Sequence, residues 1–104
     1  MSPALLLKDG WTLNFNPKNP IGRKPISFLS DGRIGDGNNE NEARWQIVNG
    51  MLEILRPNND LQNRFRYDPE GEKFICTNDT DAKGYKDQFI FRDGARAVLI
   101  SPVL

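Results

Sequence analysis

The stretch GDGNNENEARW, residues 35–45, gathers the side chains of this sequence best suited to chemistry. Asn41 and Glu42 offer planar donors and acceptors, and Trp45 offers a flat apolar face. That combination holds hydroxylated ligands. Trp45 also alternates with Ile47, so the same spacing fits a tryptophan packed into a core. Both readings stay open on sequence alone. Glu40 and Glu42 share a face if the stretch is extended, which is the raw material of glycosidic chemistry. Such carboxyls must stand roughly 5 to 9.5 Å apart across a cleft, a spacing that one short domain rarely builds.

Other chemistries lack a part. The chain has no histidine, which removes the commonest general base and metal ligand together with the Ser-His and Cys-His dyads. Cys76, the only cysteine, lies between Ile75 and Thr77 in a strand-like run and reads as a small core residue. Alternate oxygens at Asp36, Asn38, Glu40 and Glu42, and at Asp79 and Asp81, imitate a calcium loop. The first run has Asn41 at the sixth place where an EF-hand has glycine, and the second ends on Ile90 where it needs glutamate. No metal or cofactor is therefore expected. In Arg64-Phe65-Arg66-Tyr67 the cations and rings alternate, so a strand there turns rings to the core and arginines to water rather than making a nucleic-acid face.

Composition agrees. Fourteen basic and 14 acidic residues cancel, leaving none of the cationic excess that nucleic-acid binding draws on. No apolar run approaches the roughly 20 residues of a membrane span. With one cysteine, and a start, MSPALLLKDG, that lacks the basic and apolar regions of a secretory leader, the chain reads as cytoplasmic. Its 104 residues suit one domain, 1–104.

The elements that must position these residues are strands. Apolar residues recur with a period of two, as in Trp11-Leu13-Phe15, Trp45-Ile47, Leu52-Ile54, Phe65-Tyr67 and Phe89-Phe91. Strands are expected near 11–16, 24–30, 33–35, 44–48, 51–56, 62–67, 72–77, 88–92 and 95–101, with 33–35 the weakest. Asp31-Gly32, Asn49-Gly50 and Asp93-Gly94 can supply the positive φ of tight hairpins, and Asp68-Pro69-Glu70-Gly71 makes a further turn. Residues 16–23 and 35–41 are expected to be irregular, and no long helical stripe occurs. An all-β antiparallel meander of about eight strands follows, closing into a small up-and-down barrel, with an OB-like barrel or a sandwich as alternatives.

Two resemblances bear on this. Gly10 and Trp11 entering the first strand, with Arg96 in the last, resemble the small calycin-type barrels of the lipocalin and avidin group. There an early tryptophan packs near an arginine from the final strand; the lipocalin pattern places one residue between glycine and tryptophan, whereas here they adjoin. The run ISFLSDGRIGDGNNENEARWQIVNGMLEIL, residues 26–55, is similar to a short β-domain of bacterial proteins of sugar and polysaccharide metabolism. The match rests on Ile26, Phe28, Asp31, Gly32, Ile34, Asn41, Glu42, Trp45, Gly50, Leu52 and Ile54. It implies a sugar-related role.

The expectation is a non-catalytic binding or accessory module for a small polar or carbohydrate ligand, built from Trp45, Asn41, Glu42, Trp11 and Arg96. The rival is a self-associating protein with a filled barrel, forming a homodimer through strand 95–101, whose Ala97-Val98-Leu99-Ile100 is apolar on both faces. A third class is a glycan-active enzyme using a carboxylate pair. Neither nucleic acid nor a membrane is expected as a partner.

Overall fold

A computed structural model describes residues 3–19 and 21–92. A one-turn helix α1 (Pro3–Leu6) precedes seven strands: β1 (Trp11–Asn14), β2 (Arg23–Pro25), β3 (Arg44–Val48), β4 (Met51–Leu55), β5 (Leu61–Asp68), β6 (Lys73–Cys76) and β7 (Phe89–Arg92). They form one sheet in the order β2-β1-β7-β6-β5-β4-β3, with every pairing antiparallel. The all-β meander expected from the alternation is what the chain adopts.

The sheet curls, and its two edge strands meet through the hairpin 26–36. On the β1 side, Ile26 N–H donates to the Trp11 carbonyl at 3.0 Å. Within the hairpin Ser27 N–H donates to Asp36 and Gly35 N–H to Ser27, and Phe28 bridges Ile34. On the β3 side Arg33 bridges Arg44, and Trp45 N–H donates to Gly32 at 2.9 Å. These bonds satisfy backbone groups that a bare edge would leave open. The result is a small up-and-down barrel with one irregular stave.

That stave is where the expected boundaries fail. Residues 24–30 were expected as one strand, but β2 stops at Pro25 and only Phe28 bridges beyond it. The segment 33–35 is no strand, since each of Arg33 and Ile34 makes a single bridge, with Gly32 and Gly37 at positive φ on either side. The expected strand 95–101 and the Asp93-Gly94 turn lie outside the described residues. The Asn49-Gly50 turn is as expected: φ of 52° and 77° put both residues in the left-handed region, the type I′ geometry whose twist suits the β3–β4 hairpin.

Inward-facing residues fill the barrel. Trp11 and Leu13, Leu52 and Ile54, Phe65, Phe74 and Cys76, and Ile90 form one buried cluster with Ile26, Phe28 and Ile34 of the closing hairpin. Each large apolar side chain here contributes about 1.5–3 kcal/mol of burial. Helix α1 adds Leu6, fully buried, and lies at the end of the barrel where β1 starts; nothing in the period-two pattern announces it. The opposite end, where β1 and β4 finish and β3, β5 and β7 begin, is closed by polar residues instead.

Candidate functional site: a polar cleft at one end of the barrel

At that second end lies a cleft of about 400 Å³, inside the range of about 300–1,000 Å³ typical of small-molecule sites. The turn 39–42, the loop 77–88 and residues at the ends of β1, β2, β4 and β5 build it. The turn 39–42 carries Asn41 and Glu42, which line it together with Asn39. Asn39 holds this turn: its Oδ1 accepts from the N–H groups of Asn41 (2.7 Å) and Glu42 (2.8 Å), and its own N–H donates to the Glu42 carbonyl. Asn41 and Glu42 therefore lie in a turn before β3, so the extended stretch that would put Glu40 and Glu42 on one face does not form. Glu42 is 3% exposed, and its Oε1 takes an ion pair from Lys24 of β2 at 2.5 Å. The Lys24 ammonium also lies 5.8 Å from the centre of the Phe15 ring, which forms part of the wall.

The opposite wall comes from β4, β5 and the loop 77–88. Between Ile54 and Leu55 the register of β4 against β5 shifts, so that Ile54 faces Asn63 and Leu55 faces Leu61, with Gln62 the extra residue of a β-bulge. Bulges re-aim side chains, and this one brings Gln62, 4% exposed, into the cleft wall. Its Oε1 accepts from Arg56 Nε at 2.8 Å. Gln88, 2% exposed, donates through Nε2 to the Phe15 carbonyl at 3.0 Å.

Loop 77–88 is clasped at its neck. Asn78 Nδ2 donates to Asp87 Oδ1 at 2.8 Å, and the Asp87 N–H returns a bond to Asn78 Oδ1 at 2.7 Å. Its far side lies on the bulge: Lys83 and Gly84 N–H groups donate to the carbonyls of Leu61 and Gln62. Gly84 is required by this approach, because a Cβ there would stand 2.6 Å from Asn63 Nδ2 and 2.8 Å from the Gln62 carbonyl oxygen. The loop thereby sets Lys83 and Tyr85, the latter 69% exposed, at the rim.

The cleft is incompletely bonded. With their first bonds made, Gln62 Nε2, Gln88 Oε1, Glu42 Oε2, the terminal nitrogens of Arg56 and the Lys83 ammonium have no hydrogen-bond or ion-pair partner among the described residues. Donors, acceptors and two rings, Phe15 and Tyr85, converge on one small volume.

The expected site residues divide. Asn41 and Glu42 line the cleft, whereas Trp45 and Trp11 do not. Trp45 is half-buried, meets Phe28 edge-on at 6.0 Å and donates its indole N–H to the Leu29 carbonyl at 2.8 Å, so it buttresses the closing hairpin. Trp11 is 2% exposed against Phe74 at the helix-bearing end, and its indole N–H has no partner among the described residues. The arginine lying over its ring, at 5.7 Å, is Arg92; Arg96 lies outside the described residues. The carboxylate pair does not form in the cleft, since Glu40 is exposed and Glu42 is the one carboxylate among the lining residues. Reading by periodicity missed Gln62, Gln88, Arg56 and Lys83. Their signal was faint: Gln62-Asn63 breaks the alternation of a strand that is otherwise regular, which is how a bulge looks in sequence.

A second polar cluster occupies the outer face of β4 and β5. Arg64 binds Glu53 (2.9 Å), Asp79 (2.7 Å) and Asp81 (3.0 Å), and Glu53 also accepts from Gln46. The three carboxylates raise the Arg64 guanidinium above its already high range, and Thr77 and Arg64 hold Asp79 below the usual carboxylate value. Cys76, whose thiol is pushed up by burial, contacts Asn63 Oδ1 at 3.4 Å in the core. Among the described residues no group of three or more His, Cys, Asp or Glu is placed to hold a metal ion, and no helix is long and apolar enough to cross a membrane. Comparison with family models, curated proteins and solved structures finds no match to this chain.

Proposed function

We propose that this protein is a non-catalytic binding or accessory module for a small polyhydroxylated ligand, held in the polar cleft. The observation that supports this most is the set of polar atoms on Gln62, Gln88 and Glu42. These side chains are almost wholly buried, yet each keeps an acceptor or donor unused where the cleft opens. The unused atoms reach solvent through the cleft opening, where a ligand hydroxyl can replace water. Planar amides and a carboxylate suit vicinal hydroxyls, and the exposed Tyr85 ring can lie against the apolar face of a sugar. The likeness of residues 26–55 to sugar-metabolism domains points the same way through Asn41 and Glu42, and the lone cysteine fits a cytoplasmic protein.

Titration of ¹⁵N-labelled protein with a panel of monosaccharides tests the reading. The side-chain amide resonances of Gln62 and Asn41 should shift saturably, and Tyr85→Ala should weaken binding about tenfold while leaving the rest of the spectrum in place. A panel in which no sugar moves those resonances would reject it.

The filled interior also suits the self-associating alternative, in which the barrel serves only as a scaffold. Light scattering at tens of micromolar decides that point: a monomer counts against it.

A further inference from the structure

Resting on the reading of the cleft as a ligand site, we infer that its ligand carries a single carboxylate beside its hydroxyls, an acidic monosaccharide rather than a neutral one. Charge is the first reason. The chain as a whole is neutral, but the cleft lining holds Lys24, Arg56 and Lys83 against Glu42 alone, and Lys24 is the partner of Glu42. Two cations remain, and both face the same volume without a counter-ion among the described residues.

Geometry gives the second reason. Arg56 is braced through Nε by Gln62 Oε1 at 2.8 Å, which fixes the plane of the guanidinium. The two terminal nitrogens stay available as a fork, and a fork matches the two oxygens of a planar carboxylate. Lys83 at the exposed rim adds a point charge without directional demand.

The buried Glu42 keeps Oε2 for a ligand hydroxyl, and with Lys24 as its partner this wall carries no net charge. The preference for a carboxylate over a phosphate rests on the planar Arg56 fork, which matches two coplanar oxygens. Gln62 Nε2 and Gln88 Oε1 are left to read hydroxyls on the ring.

Calorimetry on the full chain at low salt, with D-glucuronate, D-glucose and glucose 6-phosphate as probes, tests this. Glucuronate should bind about tenfold or more tighter than glucose, with the excess shrinking as salt screens Lys83. Arg56→Gln should remove most of that excess, bringing the glucuronate-to-glucose affinity ratio close to one. Lys83→Gln, at an exposed position, should do so in part and serves if Arg56→Gln fails to fold. Equal affinity for glucose and glucuronate would overturn the inference while the sugar-site reading stands. Tighter binding of glucose 6-phosphate than of glucuronate would overturn it in favour of a phosphate. Binding of none of the three, with the monosaccharide panel also silent, would overturn it together with the reading on which it rests.

Discussion

The two polar clusters of this barrel use similar residues to opposite ends. On the outer face of β4 and β5 a single cation, Arg64, meets three carboxylates, with bonds from Nε and both terminal nitrogens. In the cleft Arg56 has one bond to an uncharged amide, and Lys83 has no ion-pair partner among the described residues. Both clusters fasten loop 77–88, the first through Asp79 and Asp81 and the second through Lys83 and Gly84. A completed network has nothing left to offer a ligand, so its effect is on stability. An incomplete one is held open by its surroundings and is available for binding. Saturation of bonding, rather than residue type, separates a structural cluster from a candidate site.

The largest effect should come from breaking the completed network. Arg64→Met leaves Glu53, whose side chain is 10% exposed, and the two loop aspartates facing one another without their cation. Loss of one partner from a well-buried charge network costs up to 3–5 kcal/mol, and partial exposure lowers this to about 2–3 kcal/mol here. The drop should appear as a lower urea midpoint with unchanged slope. A variant as stable as the parent would show that the network is ornamental and erase the contrast with the cleft.

How much of this could be read beforehand follows from what periodicity encodes. Alternation at Trp11-Leu13, Leu52-Ile54 and Phe65-Tyr67 placed the strands, because each has one face in the core. Asn49-Gly50 placed a turn, because only certain residues accept its φ values. The closing hairpin was harder, since its bonds join distant segments one pair at a time and leave no repeating pattern at 33–35. In the site, Asn41 and Glu42 were legible as chemistry, but Trp45 next to them is anchored to Leu29 instead. Gln62 and Gln88 are separated from Glu42 along the chain by 20 residues or more, and only the bulge and closure bring them together.

A smaller effect is expected at the hinge between the clusters. In Gly84→Ala the added methyl falls within 2.8 Å of atoms on both Gln62 and Asn63, one of them backbone. The loop must retreat, at a cost of about 1–2 kcal/mol in line with overpacked positions. Because Asp79 and Asp81 can keep their hold on Arg64, the retreat should open the cleft side selectively. Hydrogen exchange would then speed up at the Lys83 and Gly84 amides and stay slow at Thr77, which donates to the Arg64 carbonyl. Uniform acceleration along the whole loop would mean that the two anchorages are one cooperative unit, and the comparison between them would lose its meaning.

The smallest effect is the pH response of the outer network. Asp79 accepts from Thr77 Oγ1 at 2.6 Å and from Arg64 at 2.7 Å, and these bonds hold its carboxyl below the usual value. A depressed native pKa means that the unfolded chain binds the proton more readily. The stabilisation is thus complete above about pH 4, the ordinary range of an aspartate, and is lost as the pH falls through the lower native value. Since Asp79 is largely exposed, the contribution is small, and it is best seen as a difference. Urea midpoints measured at pH 5.5 and pH 3 should fall further for the parent than for Asp79→Asn, which has no charge to lose at that position. An identical fall in both proteins would assign the acid sensitivity to other carboxylates and leave Glu53 as the partner that makes the outer cluster structural.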